Sequence, residues 1–337
     1  MIDPSAVPAA PGATAIGRAG TTQRFGRFVV QLLGLFAFYV AIVAFFSIRS
    51  EQFLSYSNTI NILSNVSVIG IVSIGQALTL ISGGFDLSVS GTVPLGAVVY
   101  TYFINSGVPI VPSMIVTVLL GALVGLINGI LITRVGINPL IATLGMMSVT
   151  QGLAQTITGG LTESFTNLDA GILAESSIGN VPNHIWALLI VSAVAFLILR
   201  FTVYGRSIYT IGGNREAARL AGLRLDLITI SVYMICAGLA SLAGVIVASQ
   251  LLAGSATLGT TSALTSIAAV VLGGASLAGG KGGVGGTLIG VLVLGTLANG
   301  LALLAVPAFY QQIATGIVLL LAVGLGRLRV LFGAEGD

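Results

Sequence analysis

Residues 29–48 read VVQLLGLFAFYVAIVAFFSI, twenty positions without a formal charge. At 1.5 Å per residue, about 20 such positions carry one helix across the ~30 Å hydrocarbon core of a bilayer. Further apolar runs follow at about 60–82, 91–105, 110–133, 137–158, 185–203, 227–252, 263–280, 284–305 and 311–326. Together they predict about ten spans, of which the second, third and eighth are interrupted or short and read as partly re-entrant. The expected fold is an all-α integral membrane protein, a polytopic bundle with glycine-rich broken segments.

Composition agrees. Charged residues make up 7% of the 337 and hydrophobic ones 55%, with mean hydropathy +1.07. A soluble domain carries about 25% charged residues, so this chain has too few to cover a water-facing surface. The 46 glycines lie inside apolar runs, where they let helix backbones approach closely. Thirteen basic residues scattered between apolar runs form no stripe for nucleic acid. The lone Cys236 falls in an apolar run and reads as a buried, inert thiol.

The basic residues do follow the positive-inside pattern. With a cytoplasmic N-terminus, Arg18, Arg24, Arg27, Arg134, Arg200, Arg206, Arg215, Arg219, Arg224, Lys281, Arg327 and Arg329 fall inside, and Arg49 falls outside. The longest external loop, residues 159–184, holds Glu163, Asp169 and Glu175 and no Lys or Arg. His184, beside Trp186 at the start of a span, reads as a membrane-interface aromatic, with a ligand or proton-relay role as the alternative. The chain divides into a disordered cytoplasmic tail (1–28), a membrane domain (29–326) and a cytoplasmic C-terminal tail (327–337).

Several motifs bear on function. SGGFDLSVSG, residues 82–91, interrupts two apolar runs with paired glycines and Asp86. A carboxylate at the centre of a membrane helix costs about 2.5–3.5 kcal/mol on insertion scales, so Asp86 should not face lipid. It either caps a new helix together with Ser88 or stands beside a substrate path lined by broken backbone. GGASLAGGKGGVGGTLIG, residues 273–290, formally contains GxGxxG but lacks the acid about 20 residues on, and it fails as a phosphate-binding Walker loop. It reads as a tight turn or re-entrant break. Matching 81–99 to 271–289 pairs Gly83 with Gly273 and Gly84 with Gly274, a faint internal repeat. Carboxamides stand where apolar residues are expected: Asn65, Gln76, Asn128, Asn138, Gln151, Gln155, Gln250 and Asn299. They serve either interhelical hydrogen bonds or a cavity wall that offers donors and acceptors to hydroxyls. No buried acid pair or His–acid relay marks proton or sodium coupling. The candidate path residues are Asp86, Asn128, Asn138, Gln151 and Asn299.

Six charges crowd between Gly205 and Asp226. Asn214 is a good N-cap, Glu216 suits a first turn, Arg219 suits the last, and Gly222 can end the helix in a left-handed conformation. The short helix that results is a solvated loop, an interfacial helix on anionic lipid, or a piece shaped for a groove on a partner protein.

GRSIYTIGGNREAARLAGL, residues 205–223, resembles the cytoplasmic loop of the ribose-type permeases, membrane subunits of ABC importers for monosaccharides. The resemblance runs from about residue 50 to 326 and includes LISGGFDLSVSG, GLINGILITRVGINPLIATLG, TSIAAVVLGGASLAGGKGGVGGTLIG and NGLALLAVPAFYQQIATGIVLLLAV. Ala263 and Gln151 stand where the family usually has Glu and often has Arg. The resemblance implies a non-enzymatic permease in the bacterial inner membrane, with 205–222 holding a cytoplasmic coupling helix whose contact residues are Asn214, Arg215, Glu216, Arg219 and Gly222. It implies as partners a cytoplasmic subunit that binds ATP and Mg, a periplasmic binding protein, a second permease copy in a homodimer, membrane lipid and a sugar substrate. This chain itself would hold no cofactor and no metal. Rival readings are a branched-chain amino-acid permease, an ion-coupled secondary transporter and a non-transporting scaffold.

Overall fold

The computed structural model describes residues 19–175 and 178–332. Its helices are α1 (Ala19–Arg49), α2 (Tyr56–Ile81), α3 (Val89–Asn105), α4 (Ile110–Ile130), α5 (Pro139–Thr158), α6 (Asn183–Phe201), α7 (Val203–Gly213), α8 (Arg215–Leu220), α9 (Leu225–Leu251), α10 (Ser262–Leu272), α11 (Val284–Leu303) and α12 (Ala308–Phe332). A π-helical turn, Leu131–Val135, prolongs α4. A two-stranded antiparallel ribbon joins β1 (Glu163–Ser164) to β2 (Ala253–Gly254).

The all-α membrane bundle is as expected, but the count of ten spans is not. Among the described residues, five helices are long and apolar enough to cross a membrane: α2, α4 with its π turn, α6, α9 and α11. The others fall short for separate reasons. α3 and α10 have 17 and 11 residues because each starts after a break in the chain. α5 is 20 residues long, but Thr143, Ser148, Thr150, Gln151 and Gln155 dilute its apolar character. Of α1, the stretch with described side chains that is apolar is Gly34–Arg49. Residues 1–18, most of the N-terminal segment read as a tail, and 333–337, part of the C-terminal one, lie outside the described residues. α1 begins at Ala19, inside the expected N-terminal tail, and α12 continues past residue 326 to Phe332.

α9 is the central helix and packs against α2, α3 and α4. Its contact with α4 rests on Gly121, Gly125 and Gly129, spaced four apart on one face, which meet α9 at Ser241, Tyr233 and Ile230. A methyl at Gly125 would stand 2.2 Å from the Tyr233 carbonyl oxygen. Small residues at this spacing let two helices approach backbone to backbone, which is how membrane helices associate where no hydrophobic drive exists between them.

Two broken elements lie beside α9. After α2, residues 82–88 form an irregular segment and α3 begins at Val89; after α9, residues 252–261, which include β2, separate it from α10, which begins at Ser262. The two helix starts are adjacent, with the Ala263 N–H donating to Ser90 Oγ at 2.9 Å. From there α3 and α10 run apart. α3 ends where Asn105 Nδ2 donates to the Ser164 carbonyl, whereas α10 ends where Gly273 meets Gly286 of α11. The structural counterpart of 82–88 is therefore 252–261, and not the 273–283 loop that the glycine match suggests. The likeness is local, and in the structure Gly83 corresponds to Gly274, one residue off the sequence match. Gly83 and Gly274 both adopt left-handed backbone, at φ 85° and 92°, and both close a helix end, with Gly84 N–H on Thr79 O and Ala275 N–H on Val270 O. This is common helix-ending geometry.

Candidate functional site

The bundle has a basic end and an acidic end. At the basic end Arg134 reaches Asp226 at 3.4 Å, which joins the end of α4 to the start of α9. Both side chains are about half exposed, so the pair is worth little stability. Segment 203–222 folds here. Thr202 Oγ1 accepts from the Gly205 N–H at 3.0 Å to start α7. Asn214 Oδ1 accepts from the Ala217 N–H at 2.9 Å to start α8. Gly222, at φ 77°, ends α8 with the Leu223 N–H on Ala218 O. Ala218 is fully buried, while Arg215, Glu216, Arg219 and Leu220 are exposed. Leu220, 82% exposed, is an apolar side chain in the middle of the charges, and sequence reasoning passed over it.

The inner side of this segment is locked to both neighbouring breaks. Gly212 touches Gly83, and a methyl at Gly212 would lie 1.8 Å from Ile81 O and 2.7 Å from Gly280 N. The Gly280 N–H donates to Ile81 O at 2.9 Å, and Tyr209 Oη donates to Gly282 O at 2.9 Å. Burial pushes the Tyr209 phenol up, against the opposing pull of the Arg200 charge, so it stays a donor. One glycine face of α7 thus holds the end of α2 and the 273–283 loop together. Lys281 is exposed there.

Beyond this junction lies Asp86, fully buried. Its Oδ1 accepts from both the N–H (3.0 Å) and the hydroxyl of Ser88, which starts α3 at an end where the helix dipole favours an acid. Asn128 Nδ2 donates to Ser88 Oγ at 2.9 Å, and Tyr233 Oη to Phe85 O at 3.0 Å. Asp86 Oδ2 and Asn128 Oδ1 have no hydrogen-bond partner among the described residues. Asp86 accepts the Ser88 N–H just ahead of α3, while Ser88, the N-cap residue, makes no side-chain capping bond; Asp86 and Asn128 form one cluster through Ser88.

The other path candidates lie elsewhere. Asn138 Oδ1 accepts from the Leu140 N–H at 2.9 Å and so caps α5. Gln151 is half-buried on α5, where its backbone passes Gly91 of α3. Asn299 lines a cleft of about 370 Å³ between α2, α9, α11 and α12, together with Asn65, Gln250 and Gln311. This cleft is near the acidic end, because Gln250 lies one residue before the end of α9, just ahead of β2, which pairs with Glu163–Ser164. The same end is closed by Tyr100 Oη donating to Ala170 O at 2.8 Å.

His184, in the first turn of α6, does not face outward. It is 2% exposed, with Nδ1 2.8 Å from Leu173 O and Nε2 3.3 Å from Gln250 Nε2. A carbonyl only accepts, so Nδ1 carries the proton and Nε2 accepts from the Gln250 amide. The contact spans 66 residues of sequence, which is why the spacing of His184 and Trp186 gave no sign of it.

A polytopic helical bundle with broken helices, and a charged segment docked on the end of α2 and on the 273–283 loop, defines the class as membrane transport protein. Residues 58–323 match the family described as Branched-chain amino acid transport system / permease component, and the chain belongs to that family. It is a multi-pass permease component and not an enzyme. It is 39% identical over 289 residues to the ribose import permease protein RbsC of Escherichia coli strain K12, covering 84% of this chain and 90% of the relative. It is 38% identical over 301 residues to RbsC of Bacillus subtilis, covering 89% and 94%. It is 36% identical over 321 residues to the L-arabinose ABC transporter permease protein AraH of Azospirillum brasilense, covering 94% and 92%. No solved structure matches the chain.

Proposed function

We propose that this chain is the membrane subunit of an inner-membrane ABC importer for a monosaccharide. The sugar-permease relatives, aligned over most of both chains, favour this reading over branched-chain amino-acid import. The basic end faces the cytoplasm and the acidic end the periplasm, in keeping with the positive-inside pattern. α1, α3, α5, α10 and α12 complete the membrane domain around the five long apolar helices, giving ten membrane-embedded elements in a domain of about residues 29–326. A second copy of the chain encloses the pathway, a periplasmic binding protein delivers sugar to the acidic end, and a cytoplasmic subunit supplies ATP hydrolysis.

Segment 205–222 is the coupling contact, with Asn214, Arg215, Glu216, Arg219 and Gly222 as its elements and Leu220 as an apolar anchor. The observation that carries this is Gly212, on the inner side of that segment, seated against Ile81 and Gly280 at once. Motion imposed on α8 from outside would reach the end of α2 and the 273–283 loop through backbone alone. Asp86 and Asn128 then stand at the first break to move. The test is pull-down of the tagged protein from native membranes in mild detergent. Recovery of an ATP-binding subunit, lost when Arg215 and Arg219 are reversed to Glu, supports the coupling role. Absence of any ATPase would put an ion-coupled secondary transporter ahead.

A further inference from the structure

The cleft between α2, α9, α11 and α12 has an uncommon lining for its size. Four carboxamides, Asn65, Gln250, Asn299 and Gln311, face it from four different helices, and the rest of its wall is Val, Ile, Ala and Gly. Among the described residues no charged side chain lines it. Its volume of about 370 Å³ is at the small end of the ~300–1,000 Å³ range of ligand clefts. A carboxamide offers two donors and an acceptor, which complements a hydroxyl that both donates and accepts. The apolar remainder suits the C–H faces of a sugar ring. A zwitterionic amino acid would leave two desolvated charges without counter-charges, which is costly in such a site.

Asn299, Gln250 and Gln311 differ in how their amides are held. Asn299 stands on the cleft wall, 8% exposed, and its buried Oδ1 has no hydrogen-bond partner among the described residues. Gln250 is oriented by His184, whose Nε2 takes one amide N–H while Nδ1–H is fixed on Leu173 O. Gln311 is likewise fixed, with Nε2 donating to Val306 O at 2.9 Å.

We infer that this cleft is a binding site for a neutral, monosaccharide-sized polyhydroxylated solute, with Asn65, Gln250, Asn299 and Gln311 as its polar contacts and His184 as the positioning residue for Gln250. The inference deepens the importer reading and rests on it for the direction of transport. The site needs no charge and no metal, and it receives solute at the end where a binding protein would deliver it.

The test uses the full chain in lipid nanodiscs and saturation-transfer NMR with ribose, arabinose and leucine as probes. Transfer to either sugar and none to leucine is expected. Gln250→Leu and Asn299→Leu should each weaken sugar binding about tenfold, the equivalent of one lost hydrogen bond to a buried partner. His184→Phe should reproduce the Gln250→Leu effect, and the double variant should add nothing to either, since the two act as one unit. A purely structural His184 would instead add its effect to that of Gln250→Leu. Unchanged Trp186 fluorescence and elution volume certify that each variant is folded. Should the carboxamide variants fail to fold, Gln250→Glu keeps the shape and replaces the amide N–H donors with a charge; its loss of sugar binding supports the site. Wild-type sugar binding in the folded variants overturns the inference, as does binding of leucine in place of sugar, or no binding of any probe by the parent. Uptake by cells carrying the complete importer separates this from the function itself. Sugar uptake at parental rates in the variants overturns only the cleft, whereas no sugar uptake by the parent overturns the importer reading.

Discussion

Asp86 illustrates how one side chain serves folding before it serves anything else. Its Oδ1 takes two donors from Ser88 at the start of α3, in a site with no access to water. Asp86→Asn keeps an acceptor at that position and should fold with little loss. Asp86→Leu strands the Ser88 N–H and hydroxyl and should lower stability by about 1–3 kcal/mol, read as earlier thermal unfolding in detergent. Gly222 makes a similar case at the surface. At φ 77°, its replacement by Ala should cost about 1–2 kcal/mol and loosen the end of α8, measured as faster local amide exchange over 215–223. These roles were legible in sequence because caps and left-handed glycines act within a few residues. The Gln250–His184 contact was not, because its partners are brought together only by the packing of α6 on the rest of the bundle.

At the scale of elements, apolar length identified α2, α4, α6, α9 and α11, because a long helix carries its own signal. It overcounted where a run was divided by a break, as at 82–88, or diluted by hydroxyls and amides, as in α5. The short helix α8 was legible in full, from Asn214 to Gly222, since its punctuation is strong and local. What sequence left open was which breaks are counterparts, and that depends on Ser90 meeting Ala263 across 173 residues. The α4–α9 contact gives a direct test. Gly125→Leu pushes a side chain into the Tyr233 backbone and should destabilise the bundle by about 1–3 kcal/mol or more, seen as loss of the folded peak in fluorescence-detected size-exclusion chromatography. Gly145, with open space around it, should accept Ala without effect in the same assay.

The whole molecule separates charge by end. Residues 159–175 carry acids without bases, and the opposite end collects Arg134, Arg200, Arg206, Arg215, Arg219, Arg224 and Lys281. Cys236, the single thiol, is fully buried, so cysteines introduced elsewhere can be read against a silent background. Leu168→Cys should label with an impermeant maleimide in intact cells, and Ala278→Cys only after the membrane is opened. The reverse pattern would invert the orientation proposed here. Arg219→Glu, at the basic end, should leave insertion and the labelling pattern unchanged while abolishing transport-coupled ATP hydrolysis in the assembled importer.

The contact of Gly212 with Ile81 and Gly280 has a mechanical meaning. Side chains joined end to end form a soft spring, because each torsion absorbs part of an applied displacement. Here three stretches of main chain bear on one another with no side chain between them, so the joint has no slack to take up. Under the coupling proposed above, a small push on α8 would be passed toward the roots of α3 and α11 by main chain alone. Gly212→Ala would wedge that joint apart, and its signature should be hydrolysis that continues while movement of solute stops.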